Sequence, residues 1–362
     1  MEYTNKRKDT CAYMRKLKVG VVGAGNIARS AHLPVYAGPL ADAVEVAAVA
    51  DINYDRAKDA ASVFGIPKAY NSVDELLAGT DVDYVDICVW NGFHADVAVS
   101  AAKAGKAILC EKPMADSLEN AYKIEAAVKE ANVPFMMAMV SRFSSEAVMF
   151  KSMAEAGEFG DIYYAKTGII RRRGTPKGWF TDLSKAGGGP VIDIGVHCID
   201  RTWFLMGRPK PVRISGAVSY AIGDYQTKGV SRWTALDPGD GTFNTEDSAS
   251  AIIHFDNGAS MLAEASWALN TFESNYWVLC GSKGGASLEP LTIYAENAQG
   301  YLTDNRPVLP EVNPFEKEIA HFIDCLKTGK KPIAPIEDGI TVMKMLCGIY
   351  ESAKLGREIA IP

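Results

Sequence analysis

From Leu17 onward the chain alternates short, nearly uninterrupted apolar runs with longer stretches whose apolar residues recur every three or four positions. Runs of the first kind read as strands buried on both faces, and stretches of the second kind as amphipathic helices. Strands are predicted over residues 17–23, 44–51, 84–90, 107–110 and 133–139. A helix follows the first strand to about Tyr36. Others are predicted over 55–64 with a stop at Gly65, over 95–104 closed by Gly105, and from a cap at Ser117 to about Ala131. Glu119 falls in the first turn of the last of these, where the helix dipole favours a carboxylate. Alternation of this kind builds a parallel, doubly wound sheet with helices on both faces.

After about Ser141 the pattern changes. A helix over 144–156 leads to a strand over 162–170, then to a Gly-rich stretch and a helix over 193–205. Strands come next over 212–220, 249–255, 259–269, 276–280 and 286–288. Asp256-Asn257-Gly258 marks a hairpin between two of them, so this sheet is expected to be largely antiparallel. Two helices close the chain, over 314–327 and 336–353. The segment 221–244 is long, Gly-rich and irregular, and it carries Tyr225 and Trp233. It reads equally as a lid, an oligomer contact or a surface insertion. The expected divisions are a tail over 1–16, a dinucleotide-binding domain over 17–140, and a substrate-binding and oligomerisation domain over 141–362. An oligomerisation arm or a cloning remnant are the other readings of the tail.

Composition narrows the class. With 362 residues the chain exceeds the size at which one core stops growing, which favours two domains. A net charge of −6 gives no bulk attraction for nucleic acid or an anionic membrane, so neither is an expected partner. The seven cysteines are odd in number and none forms a C-x-x-C pair. They read as reduced thiols of a cytoplasmic protein, without the spacing of a zinc site, and no metal is expected. No apolar run reaches the length of a membrane span, and the polar start at Lys6-Arg7-Lys8 is unlike a secretory signal.

The turn Gly23-Ala24-Gly25-Asn26-Ile27-Ala28 lies between a buried strand and a helix. In that context it is a dinucleotide fingerprint. Gly23 permits the tight turn, Gly25 leaves room for a pyrophosphate at the helix N-terminus, and Ala28 allows close packing. Asp51 ends the second strand, where a carboxylate accepts hydrogen bonds from the adenosine ribose and repels a 2′-phosphate. NAD is therefore expected over NADP, although Arg56 and Lys58 stand close by. The plainer role for Asp51 is a cap on the following helix.

Two further patches carry chemistry. Cys110-Glu111-Lys112-Pro113 stands at the carboxyl end of a strand, where open α/β sheets bind ligands. The block from Gly187 to Asp200 begins with three glycines and Pro190, announcing a helix with an exposed N-terminus. In it Asp193 and His197, four apart, share one helix face, and Asp200 extends that face.

With these motifs the chain resembles the glucose–fructose oxidoreductase / inositol dehydrogenase / rhizopine catabolism (Gfo/Idh/MocA) family over nearly its whole length from Lys18. The resemblance rests on the Gly23 turn, Ala31-His32-Leu33-Pro34, Gly105-Lys106 leading to Glu111-Lys112-Pro113, Ser141-Arg142-Phe143, and the 187–200 block. It implies a Rossmann domain followed by a C-terminal α+β domain, whose large, mainly antiparallel sheet covers the nicotinamide with its open face. It implies catalytic Lys112, Asp193 and His197. The implied cofactor contacts are Gly23, Gly25, Asn26, Ile27, Asp51, Arg56, Trp90, His94, Glu111, Lys112 and Arg142. The implied substrate contacts are Lys112, Arg173, Trp179, Asp193 and His197, and association into a homo-oligomer runs through the C-terminal sheet. Trp90 departs from the Thr-Pro that many members carry before the spaced histidine.

Alcohol oxidation removes a hydride from carbon and a proton from oxygen. His197 can accept the proton, and Lys112 can hydrogen-bond the same hydroxyl and favour alkoxide character. His197 is preferred as the base, with a desolvated Lys112 as the alternative. The resemblance implies a polyhydroxylated ring as substrate. A neutral sugar or glycoside oxidised at a ring secondary hydroxyl, C3 included, is the expectation; Trp179 and Phe180 would stack on it. An arginine of Arg171-Arg172-Arg173 would clamp a substrate carboxylate or phosphate; solvated or interface-paired arginines are the other and plainer reading. The rival readings are a glycosidase-type enzyme that uses NAD transiently and a non-catalytic NAD-binding regulator.

Overall fold

The structure, a computed structural model, describes residues 15–361. The expected tail therefore lies, but for Arg15 and Lys16, outside the described residues, as does Cys11.

Six strands form the first sheet: β1 (Leu17–Val22), β2 (Val44–Ala50), β3 (Ala69–Tyr70), β4 (Tyr84–Ile87), β5 (Ala107–Glu111) and β6 (Phe135–Ala138). All pairs are parallel, in the order β3-β2-β1-β4-β5-β6. The order reverses direction between β1 and β4, and a crevice opens at the carboxyl ends there. Every residue of β4, β5 and β6 is buried, which is why these strands read as unbroken apolar runs.

The helices of this half are α1 (Leu33–Ala37), α2 (Tyr54–Phe64), α3 (Val73–Gly79), α4 (His94–Lys103) and α5 (Leu118–Ala131). The Asn53 side chain caps α2 by accepting the Arg56 N–H, and Ser117 caps α5 by accepting that of Asn120. Between the Gly23 turn and α1 the chain winds as a π turn, Ala28–His32. β3 and α3 carry too few residues to show a period in the sequence.

The second half contains α6 (Ser145–Glu155), β7 (Ile162–Ile170), the short α7 (Leu183–Ala186), a π turn at Val191–Gly195 and α8 (Val196–Leu205). Then come β8 (Pro211–Ser219), β9 (Ser248–Phe255), β10 (Ser260–Ser266), β11 (Ser274–Gly281), β12 (Gly285–Leu288), β13 (Leu291–Glu296) and β14 (Leu302–Asn305). Helices α9 (Pro314–Thr328) and α10 (Ile336–Leu355) and a last strand, β15 (Ile359–Ala360), complete it. The nine strands order β14-β13-β12-β11-β7-β10-β9-β8-β15. Only β7 and β10 run parallel; the other described pairs are antiparallel. β13, β14 and β15 are short and carry too few buried residues to show a period in the sequence.

One face of this sheet carries Thr167, Ala251, Ile253, Met261, Ala263, Trp277 and Leu279, all buried, with α8 and α10 packed against it. α10 also packs on α5 and β6, so the helical layer lies between the two sheets. The opposite face shows Tyr164, Ile252, Leu262, Tyr276 and Val278, all partly or fully exposed. This overturns one implied feature: the open face looks away from the dinucleotide half, because helices occupy the side that faces it.

Candidate active site

A cavity of about 440 Å³ runs along the crevice. The Gly23–Ile27 turn enters it first. Gly23 has φ +98, and a Cβ there would lie 2.5 Å from the Cys88 carbonyl carbon, so no larger residue fits. A Cβ on Gly25 would meet nothing within 4 Å. That leaves an open cradle where the first N–H groups of a helix lack partners, which suits a diphosphate. Asp51 lines the same cavity. Its Oδ2 accepts the Ala24 N–H at 2.8 Å and its Oδ1 that of Asn53 at 2.8 Å, so it braces the turn rather than capping α2. Arg56 Nη1 stands 3.6 Å from Asp51 Oδ2 and also lines the cavity. The donor set and open cradle fit a dinucleotide.

At the other end Glu111, Lys112 and Asp193 meet. Lys112 Nζ donates to the Asp193 carbonyl oxygen at 2.9 Å and lies 3.4 Å from its Oδ1. Trp267 Nε1 donates to Asp193 Oδ2 at 3.0 Å and fixes the carboxylate from the far side. His197 comes next on the same helix, partly buried and without a hydrogen bond among the described residues. Burial, then the charges of Lys112 and Arg171, hold its pKa well below the usual 6.5. It is neutral at pH 7, but unlike Lys112 and Asp193 it does not itself line the cavity.

The aromatic wall is wider than expected. Trp90 stacks on Trp179 at 6.2 Å, Trp179 on Phe180 at 4.1 Å, and Trp233 meets Phe180 edge-on at 5.4 Å. All four line the cavity, as do Ala235, Leu236 and Asp237 of the irregular segment. The Leu236 N–H is held by Asn26 Oδ1 at 2.8 Å, so this segment crosses the crevice to the phosphate turn.

Several expectations need correction. Arg142 is remote from the cavity and fully buried: it pairs with Asp200 at 2.6 Å and Asp338 at 2.6 Å, and donates to the Ile333 carbonyl. Asp200 is therefore not on the face of Asp193. The π turn over Val191–Gly195 displaces the residues after it by one position, keeping His197 near that face and turning Asp200 off it. His94 is buried behind the cavity, its ring nitrogens 2.8 Å from the Pro113 and 3.1 Å from the Val89 carbonyl oxygens; it braces the loops that carry Lys112 and Trp90. Arg173 does not line the cavity; Asn270 and the Arg172 carbonyl hold its guanidinium. The helix N-terminus after the glycines is buried, and Glu246 caps it by accepting the Gly189 and Val191 N–H groups.

Glu246 and Trp267 were missed because each reaches the site from a distant point of the chain, and Asn91, next to Trp90, because its partner Ala186 is 95 residues away. Asn91 donates to the Ala186 carbonyl across the crevice at 2.8 Å. The only signal was the unusual Thr245-Glu246-Asp247 run, all buried. The six described cysteines are free. His32, Asp86 and Cys88 bring potential metal-ligand atoms within 4.8 Å of one another, but the imidazole and carboxylate are hydrogen-bonded to each other. Among the described residues no helix is long and apolar enough to cross a membrane.

A Rossmann sheet, an open phosphate cradle and a lysine–aspartate pair beside a neutral histidine define a nucleotide-dependent oxidoreductase. Residues 17–139 match the family model described as oxidoreductase family, NAD-binding Rossmann fold, and residues 148–287 match the GFO/IDH/MocA C-terminal domain. The chain belongs to the Gfo/Idh/MocA family of oxidoreductases. It is 29% identical to D-glucoside 3-dehydrogenase of Escherichia coli over 95% of this chain and 97% of that protein. It is 30% identical to levoglucosan dehydrogenase of Pseudarthrobacter phenanthrenivorans over 70% of this chain and 68% of that protein. Among solved structures, a levoglucosan dehydrogenase with NADH and L-sorbose aligns with a TM-score of 0.83 at 25% identity, covering 96% of this chain and all of that one.

Proposed function

We propose that the protein is an NAD-dependent dehydrogenase of a sugar or glycoside, oxidising a ring secondary hydroxyl, with C3 of a glucoside as the leading candidate. The reading is carried by Lys112 and Asp193, held together beside neutral His197 at one end of a cavity whose other end is the phosphate cradle. Bound NAD supplies the hydride acceptor. Lys112 Nζ donates to the substrate hydroxyl and draws its oxygen toward alkoxide, while His197 takes the proton. Asp193, fixed by Trp267, orients the ammonium and grips a neighbouring hydroxyl. Trp179 and Phe180 offer faces for a sugar ring or its aglycone. D-Glucoside 3-dehydrogenase and levoglucosan dehydrogenase among the relatives support the substrate class and, through the first, position C3. Asp51 in the adenosine end supports NAD over NADP. The open face of the nine-stranded sheet, with Ile252 and Tyr276, supports association of like chains through it.

Inositols, aldoses, uronates and glycosides are to be scored for NADH absorbance. A neutral glycoside should give the highest kcat/KM. Lys112→Ala and His197→Ala should each abolish turnover while NAD still binds. Wild-type kcat in both variants would sink the assignment. Glycoside consumption without net NADH would point instead to transient redox use of the cofactor.

A further inference from the structure

Behind the cavity wall lies a charged group that the hydride-transfer chemistry does not use. His32 ends the π turn Ala28–His32 and is fully buried. Its Nδ1 is 2.8 Å from Asp86 Oδ2, and its Nε2 is 3.0 Å from Glu111 Oε1. Tyr36 donates its hydroxyl to the same Asp86 oxygen at 2.8 Å. The second oxygen of Glu111 accepts the main-chain N–H of Lys112 at 3.0 Å. A continuous line of hydrogen bonds thus runs from Tyr36 to the residue whose ammonium meets Asp193.

The two contacts, with the burial and charge around them, favour one protonation pattern. Ionised carboxylates only accept, so both ring nitrogens of His32 donate, and the ring is an imidazolium. Burial opposes that charge, but the charge and hydrogen bond of Asp86 outweigh it and hold the ring well above the usual histidine range. Burial likewise opposes the Glu111 carboxylate, which the His32 hydrogen bond and charge keep below its usual range. The other polar neighbours are Tyr84, whose hydroxyl is pushed far up by burial, and Glu318. The Glu318 carboxyl has no hydrogen-bond partner among the described residues, and burial together with the charge of Glu111 keeps it protonated. One cation between two carboxylates is therefore the charged core of the group.

We infer that His32 is a positioning residue for Lys112: it locks the Glu111 carboxylate, which anchors the main chain that carries the ammonium to the substrate. The inference rests on the proposed role of Lys112 as a contact of the reacting hydroxyl. β5 ends at Glu111, so Lys112 is the first residue off the strand and its own N–H has no strand partner; the Glu111 side chain takes that place. Loss of the imidazolium leaves two facing carboxylates, and Glu111 swings away. A shift of ~1 Å at a catalytic group lowers rate on the order of 10²-fold.

The test measures kcat and NAD affinity for His32→Gln beside Lys112→Ala. His32→Gln should lose on the order of 10²-fold in kcat while NAD affinity stays near wild type. Wild-type kcat, or a loss confined to NAD affinity, overturns the inference. If Lys112→Ala keeps wild-type kcat, the active-site reading itself fails; if it is dead and His32→Gln is not, only the positioning role fails. Should His32→Gln not fold, Glu111→Gln should show the same loss of kcat, and wild-type kcat in that variant overturns the inference. Nitrogen NMR of the wild-type ring decides independently of any variant: two protonated nitrogens at neutral pH support the inference, and a neutral ring overturns it.

Discussion

His197 carries no charge at neutral pH because it is buried and faces the cations Lys112 and Arg171. A base in that state needs no deprotonation before it acts, and it protonates only below the usual histidine range. We expect kcat/KM to stay level as pH falls through 6.5 and to decline only at lower pH. Arg171→Gln removes a cation that disfavours the imidazolium, so the acid limb should move to higher pH. A limb that stays in place, or moves down, contradicts the sign. Glu318 shows the reverse case. Its carboxyl is neutral when folded and ionised when unfolded at neutral pH, so it lowers stability as pH rises above its usual value of 4.5. Glu318→Leu removes a buried group without partners and should stabilise by roughly 1–3 kcal/mol. Thermal unfolding should show a larger gain at pH 8 than at pH 5; no gain would reveal a polar partner.

Both function-bearing helices begin with π turns, at Ala28–His32 and Val191–Gly195. Such turns are common at functional sites, and they break the spacing rules used to read a helix. That is why Asp193 and His197 were legible as neighbours while Asp200 was misplaced. The parallel sheet, the Gly23 turn and the position of Asp51 were legible because each depends on local pattern alone, whereas Lys112 by itself reads as a surface charge and stood out only through the family resemblance. Glu246, Trp267 and Asn91 were not, since nothing local to them records the loop or helix end they meet. The role of segment 221–244 was likewise open, and its Leu236 contact with Asn26 settles where it lies. Asn26→Ala removes that tie across the phosphate turn. Stopped-flow fluorescence should show faster NAD release from this variant, and an unchanged rate would mean the segment does not restrain the cofactor.

At the scale of the molecule, Arg142 ties the end of the dinucleotide half to α8 through Asp200 and to α10 through Asp338. Removing one partner of a buried ion pair strands the others. Arg142→Met should therefore destabilise by roughly 3–5 kcal/mol in denaturant unfolding, without a change in the NAD over NADP preference. A near-neutral effect would show that the clamp is dispensable. The open sheet face is separable from this: if like chains associate through it as proposed, Ile252→Arg places charge there and should lower the sedimenting mass while leaving the fold intact, and an unchanged mass would count against that association. The central claim is that hydride leaves a sugar ring carbon at the Lys112, Asp193 and His197 site. Incubation with NAD and a glucoside deuterated at every ring carbon, with mass analysis of the cofactor afterwards, tests it most directly. The account predicts reduced nicotinamide carrying deuterium from the wild-type protein and none from Lys112→Ala. Reduced cofactor without the label, or labelled cofactor from Lys112→Ala at the wild-type rate, would contradict it.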